Sequence, residues 1–150
     1  MAVIHRDTDY AIRALVRLTR ADEVVSTSSM ADQEEVPEHF LRKIMQRLKS
    51  AGLVDSIQGP YGGYNLAVEP AGIHLRDIVE AMQGRVVVNA CFDDPGICDN
   101  VEECSVHHRL ESLQEIIESW MEDVTLADMA FDLKNEGSES DEQSEVSRTG

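Results

Sequence analysis

No apolar run in this sequence approaches the ~20 residues that a bilayer-spanning helix needs, so a membrane span is excluded. The opening stretch, MAVIHRDTDYAIRAL, puts charges where a secretory signal requires an apolar core. Together these features lead us to expect a cytoplasmic protein. Cysteine is scarce: three in 150 residues, an odd count. In a reducing compartment thiols serve more often as metal ligands or redox groups than in disulfides. We find neither a nucleophile paired with a base nor a glycine-rich phosphate loop, so no enzymatic activity is expected. Basic residues are also few, 13 Lys and Arg against 29 Asp and Glu, for a net charge of −16.

That balance looks hostile to nucleic acid, but it is unevenly spread. Residues 1–70 carry eight Lys or Arg and ten Asp or Glu, whereas residues 71–150 carry five and nineteen. The acid belongs to the second half. A DNA-binding surface in the first half remains open if its basic residues share one face.

Tyr10, Ala11, Ala14, Leu15 and Leu18 recur at helical spacing, with Arg13, Arg17 and Arg20 opposite, and predict an amphipathic helix over about 8–20. The Ser/Thr run at Ser26–Ser29 offers an N-cap for a second helix through Glu34. Pro37 suits the first turn of a third helix, because its missing N–H has no partner there anyway. In that third helix Phe40, Leu41, Ile44, Met45 and Leu48 fall on one side. His39, Arg42, Lys43, Gln46, Lys49 and Ser50 fall on the other, and Gly52 stops the helix. Two short strands, about 53–57 and 64–67, flank Gln58-Gly59-Pro60-Tyr61-Gly62-Gly63, whose glycines supply the positive φ angles of a tight hairpin.

Helix, helix, basic helix, hairpin is the order of a winged helix-turn-helix. The expected fold is therefore mainly α with a small β-wing, the basic helix entering the major groove of an operator. Arg42 and Lys43 are the candidates for base contact and Lys49 for phosphate. His39, Gln46 and the wing residues Tyr61 and Gly62 complete the predicted DNA-binding set.

A further helix is predicted over 73–82, ending at Gly84, and a long one over about 106–123. In the latter, Val106, Leu110, Leu113, Ile117, Trp120 and Val124 alternate spacings of four and three, the seam of a coiled-coil contact. A two-fold homodimer on an inverted-repeat operator is the simplest use of it. The stretch KNEGSESDEQSEVSRTG has almost no apolar residue and is expected to be a disordered tail. The expected organisation is thus a DNA-binding domain over 1–84, a cysteine loop over 85–105, a dimerisation helix and a short following helix over 106–133, and an acidic tail over 134–150.

All three cysteines lie in that loop: Cys91, Cys98 and Cys104, separated by six and five residues. Structural zinc sites favour shorter knuckles. Longer gaps suit an iron–sulfur cluster, whose irons spread the ligands over a wider volume. Asp93, Asp94, Asp99, Glu102 and Glu103 crowd the same loop. Nearby negative charge disfavours thiolate, which argues against a free reactive nucleophile and suits a bound cation. A fourth ligand is needed. His107 lies three residues beyond Cys104, with His108 adjacent and less well placed; His5, Asp7 and Asp9 qualify only if the first helix packs on the loop.

These residues together resemble the Rrf-type regulators, whose iron–sulfur branch includes IscR, NsrR and RirA. The resemblance spans residues 1 to about 132. It is carried by TDYAIRAL, FLRKIMQRLKSAGLV, GPYGGYNL and the three spaced cysteines. It implies a homodimer of winged heads joined by a long helix, with a cluster near the interface that controls DNA binding. Cys91, Cys98 and Cys104 match the family's cluster cysteines. His107 matches the histidine ligand of IscR-like members, and Asp9 the aspartate that NsrR-like members donate from the partner subunit. We favour His107 and with it [2Fe–2S]; Asp9 and [4Fe–4S] are the alternative. Where many members have an Arg before the wing glycine, this chain has Gln58, which implies a weaker wing contact. Two other functions are weighed: a cluster-free thiol-switch regulator, and a small iron–sulfur electron carrier, which leaves the basic helix and wing unexplained.

Overall fold

A computed structural model describes residues 2–131 of the chain. The tail expected at 134–150, and the last two residues of the segment expected at 106–133, lie outside the described residues.

Helix α1 (Arg6–Arg20) buries Thr8, Ala11, Ala14, Leu15 and Leu18 along one stripe. Helix α2 (Thr27–Glu34) begins where Ser26 Oγ accepts the Ser29 backbone N–H at 3.2 Å, so the expected serine cap is in place. Helix α3 (Glu38–Ser50) buries Leu41, Ile44, Met45 and Leu48. Pro37 stands at its N-cap, one place before the first turn expected for it. At the other end Gly52 adopts φ 78°. The Leu53 N–H reaches the Leu48 carbonyl, and the Gly52 N–H that of Lys49, each at 3.0 Å. That pair of bonds is a Schellman ending, which favours glycine because a Cβ in the left-handed region costs energy.

Strands β1 (Val54–Ile57) and β2 (Gly63–Leu66) pair antiparallel, Val54 opposite Leu66 and Ile57 opposite Gly63. The hairpin is also stitched to the head. Val25 and Tyr64 exchange both backbone bonds, at 3.0 and 2.9 Å. Only glycine fits that approach, since a Cβ on Gly63 would stand 2.2 Å from the Val25 carbonyl oxygen.

Helix α4 (Leu75–Gln83) starts two residues later than expected, because Asp77 Oδ2 accepts the His74 N–H at 2.8 Å and makes His74 the N-cap. Ile73 is left to bond across the chain: the Leu126 N–H reaches its carbonyl at 2.8 Å, and the Leu75 N–H reaches that of Val124 at 2.8 Å. Helix α5 (Ser105–Asp123) and helix α6 (Leu126–Phe131) complete the elements. Arg20 closes α6 onto α1 by donating twice to the Ala130 carbonyl, at 3.1 and 3.0 Å.

The main core lies between α1, α3, α4 and α6, around fully buried Leu15, Leu41, Met45, Leu48, Ile78 and Leu126. A smaller cluster of Leu75, Val79 and Met121 holds α5 against α4, with Val86, Ile117 and Val124 packed on it. This divides the expected seam. Ile117 and Val124 face inward, whereas Val106, Leu113 and Trp120 stand exposed with Ile116, which was not in the expected set. A helix packed on one side and apolar on another cannot keep all its 4–3 positions on a single stripe.

Candidate functional site

The third helix presents the expected surface. His39, Arg42, Lys43, Gln46 and Lys49 are all exposed on α3, opposite its buried stripe. Arg42 and Gln46 line a groove that runs between α3, the start of α2 and the hairpin. Ser26, Thr27 and Ser28 form its far wall, and Gly62 lies at its end. Tyr61 is 94% exposed at the hairpin tip. Gly62 admits no side chain, since a Cβ there would meet the Ile57 carbonyl oxygen at 2.2 Å.

Two basic side chains on this face are already engaged. Arg42 Nη2 lies 2.6 Å from Glu38 Oε1, one turn away, a pair exposed enough to open at little cost. Lys49 Nζ donates to Ser56 Oγ on β1 at 2.6 Å, so it braces the hairpin against α3 in addition to facing solvent. Arg47 is a different case. It donates to the Met82 carbonyl at 3.0 Å and pairs with Asp7 at 3.6 Å, which ties α3 to α4 and α1.

The cysteine segment between α4 and α5 contains three 3-10 turns, Ala90–Phe92, Pro95–Ile97 and Val101–Glu103, none with a buried residue. Its two ends meet at His107. Cys91 Sγ lies 3.2 Å from His107 Nδ1, and the Phe92 ring stacks on the imidazole with centroids 4.5 Å apart. Cys104 is the N-cap of α5, and its Sγ accepts the His107 backbone N–H at 3.4 Å. Cys98 stands apart, in a stretch, 93–100, whose every residue is exposed. His108 turns away to the Glu102 carbonyl at 2.9 Å. Asp7 and Asp9 pair with Arg47 and Arg13, and the His5 backbone N–H binds Gln83; none of the three is hydrogen-bonded or ion-paired to the loop within this chain.

Sequence reasoning thus named two thiols and an imidazole that the fold brings together, and a third thiol that it leaves outside. Among the described residues no three His, Cys, Asp or Glu side chains are close enough to hold a metal ion as they stand. The donor types, soft sulfur and imidazole, nevertheless suit iron–sulfur ligation, and the exposed turn carrying Cys98 has no packing to lose by moving.

The segment is anchored by residues that pattern reasoning did not single out. Gln114 is buried on α5; its Oε1 accepts the Val88 N–H at 2.9 Å and its Nε2 donates to the Val86 carbonyl at 2.8 Å. The same Nε2 donates to Glu118 at 2.9 Å. Glu118 in turn takes Arg85 Nε at 2.9 Å, and Arg85 Nη1 donates to the Phe92 carbonyl at 3.0 Å. Hydrogen bonds from Gln114 first, then from Arg85, hold the Glu118 carboxyl below its ordinary range.

Residues 4–132 match the Rrf2 family, described as iron-dependent transcriptional regulators. The chain belongs to the Rrf2 family. An HTH-type transcriptional regulator of Aquifex aeolicus is 33% identical over 123 residues, spanning 80% of this chain and 85% of that protein. IscR of Yersinia enterocolitica is 29% identical over 122 residues, 80% of this chain and 74% of that protein. Among solved structures, CymR, the global cysteine regulator of B. subtilis, superposes with a TM-score of 0.69 at 26% identity, covering 87% of this chain and 97% of CymR. T. potens IscR superposes with a TM-score of 0.67 at 28% identity, covering 87% of both chains.

The mainly helical fold with a two-stranded wing is therefore that of Rrf2 winged-helix regulators. Its role is transcriptional regulation through DNA, not enzymatic catalysis. Among the described residues no helix is long and apolar enough to cross a membrane. The serines at the start of α2 line the groove beside α3 and the hairpin, a place that sequence reasoning did not assign to them. Their signal, a serine run, had been fully accounted for by its capping role.

Proposed function

We propose that this Rrf2 protein is a homodimeric transcription regulator whose operator affinity is set by an iron–sulfur cluster on Cys91, Cys98, Cys104 and His107. The observation that carries the reading is the meeting of both loop ends at His107, Cys91 Sγ at 3.2 Å from its Nδ1 and Cys104 Sγ accepting its backbone N–H at 3.4 Å. A cluster bound there supplies a redox couple and labile iron to a signal such as iron supply, cluster availability, nitric oxide or oxidative stress. Imidazole adds no negative charge to a loop already holding five acids, and histidine ligation raises the potential relative to all-cysteine ligation. This favours [2Fe–2S] with His107 as the fourth ligand over [4Fe–4S] with Asp9.

The chain's own residues do the rest. His39, Arg42, Lys43 and Gln46 on α3 read an inverted-repeat operator in the major groove. Lys49, Tyr61 and Gly62 fit the adjoining backbone or minor groove. The exposed apolar residues Val106, Leu113, Ile116 and Trp120 of α5 support pairing with a second copy, because soluble monomers seldom leave such a stripe in water.

The test is anaerobic purification with iron and sulfide analysis, optical and EPR spectra, and operator binding with and without the cluster. We expect His107→Ala to lose the cluster and Asp9→Ala to keep most of it. A colourless Asp9→Ala protein beside an intact His107→Ala cluster moves the fourth ligand to Asp9. Absence of iron and sulfide from the anaerobic wild-type protein overturns the cluster reading and leaves a thiol-based regulator.

A further inference from the structure

We infer that Arg85 is a positioning residue that joins the cysteine segment to the reading helix through the last turn of α4. The inference deepens the proposed function and rests on it for its regulatory meaning, but not for its geometry. Within the four residues Met82 to Arg85, three each hold a different part of the molecule and the fourth turns the chain. The Met82 carbonyl accepts Arg47 Nη1 of α3 at 3.0 Å. The Gln83 side chain accepts the His5 N–H at 2.9 Å and the Thr8 hydroxyl at 2.8 Å, and donates to the Val3 carbonyl at 2.8 Å, fixing the start of α1. Gly84 ends the helix with φ 84° and turns the chain. Arg85 then grips the Phe92 carbonyl at 3.0 Å with one guanidinium nitrogen and Glu118 of α5 with the other two.

Phe92 is the ring stacked on His107, and its neighbour Cys91 is the thiol at His107 Nδ1. Any event that draws Cys91 away from the imidazole also pulls on the Phe92 carbonyl. The guanidinium is planar and its donors point in fixed directions, so Arg85 cannot follow that carbonyl and keep both bonds to Glu118. The displacement is passed to the turn at Gly84, and two residues further back lies the Met82 carbonyl that holds Arg47. The path from thiol to α3 is a chain of bonded groups without a gap. Lysine, with a single nitrogen, cannot grip Glu118 and Phe92 in the same fork geometry.

The experiment uses the full-length protein in two arms. In the first, without cluster, amide exchange is followed by mass spectrometry over residues 86–92 and over α3. Arg85→Met and Arg85→Lys are expected to speed exchange over 86–92 at least tenfold, with the α3 peptides unchanged. In the second, operator affinity is measured with and without the reconstituted cluster. We expect the wild-type ratio to fall toward one in Arg85→Met, while the affinity of the cluster-free protein stays within twofold. Unchanged exchange over 86–92 in Arg85→Met overturns the inference, as does a full cluster-dependent affinity ratio in that variant. If the wild-type protein takes up no cluster, the proposed function fails and the first arm alone decides the role of Arg85.

Discussion

The winged head and the cysteine segment are held in opposite ways. In the head, residues 6–66, three helices and a hairpin close over side chains such as Leu15, Leu41, Met45 and Leu48, all at 0% exposure. Each such burial contributes roughly 1.5–3 kcal/mol, so the head is stabilised from within by many comparable terms. The segment between α4 and α5 has no buried residue in any of its three short turns. It is held by a few contacts with its surroundings, among them the Gln114 amide, the Arg85–Glu118 ion pair with its bond to the Phe92 carbonyl, the Phe92–His107 stack and Val86 on the small apolar cluster. A region with few anchors and little core opens locally at lower free energy than the whole domain. The head therefore suits a fixed reading surface, and the segment suits the part that responds.

The contrast is tested most severely by removing one core side chain and one thiol. Leu48→Ala, at 0% exposure, is expected to lower unfolding free energy by ~2–5 kcal/mol. Cys98→Ser, on the exposed turn, is expected to change it by no more than about 0.5 kcal/mol. Urea midpoints on cluster-free protein measure both, and equal losses would mean that the segment contributes to the core after all.

A smaller effect separates reading surface from fold. Gly63→Ala forces a Cβ to within 2.2 Å of the Val25 carbonyl oxygen, and should cost about 1–3 kcal/mol through a strained wing. Circular dichroism should retain the helices while operator affinity drops. If affinity survives, the wing's attachment to Val25 is not needed for DNA binding.

Gln114→Leu sharpens the picture of the segment. Leucine fills the site but leaves the partly buried Val88 N–H and Val86 carbonyl without this partner, a loss of about 1 kcal/mol. Faster amide exchange should appear at Val88 with α3 unaffected. Uniform acceleration across the molecule would refute the separation of the two regions.

The smallest effect is one of pH. The Glu118 carboxyl is held below its ordinary value of 4.5 by Gln114 and then Arg85. Because its folded pKa is depressed, its contribution is present above that ordinary value and is lost only as pH falls through the folded one. Acidification from pH 7 to 5 should leave the Arg85 clasp intact. An NMR titration of Glu118 with a midpoint at or above 4.5 would show that the clasp does not form in solution.

The local pattern carried a long way in the head. Alternating three and four spacings marked the buried stripes of α1 and α3, Ser26 and Gly52 marked helix ends, and the glycines at 59 and 63 supplied the positive φ angles expected of the hairpin. Each of these signals acts within a few residues of itself, so each can be read without knowing what else is near. The spacing of Cys91, Cys98 and Cys104 pointed to one site as well, but the fold brings only Cys91, Cys104 and His107 together and leaves Cys98 on an exposed turn.

Tertiary structure alone decided the rest. The apolar seam of α5 put Ile117 on the face expected to meet a second copy; that it packs on α4 instead, with Ile116 facing outward, depends on where Leu75 and Val79 lie. Gln114 reads as an ordinary polar residue of a long helix until Val88, 26 residues away, is placed against it. Arg85 and Glu118 are 33 residues apart, and nothing in the composition of either neighbourhood announces their pairing. Periodicity records how a backbone repeats, and so with the turn residues it determined the helices, the wing and the exposed basic face of α3. It carries no information on which distant polar group completes another's hydrogen bonds, so the anchoring of the cysteine segment emerged only once the chain had folded back on itself.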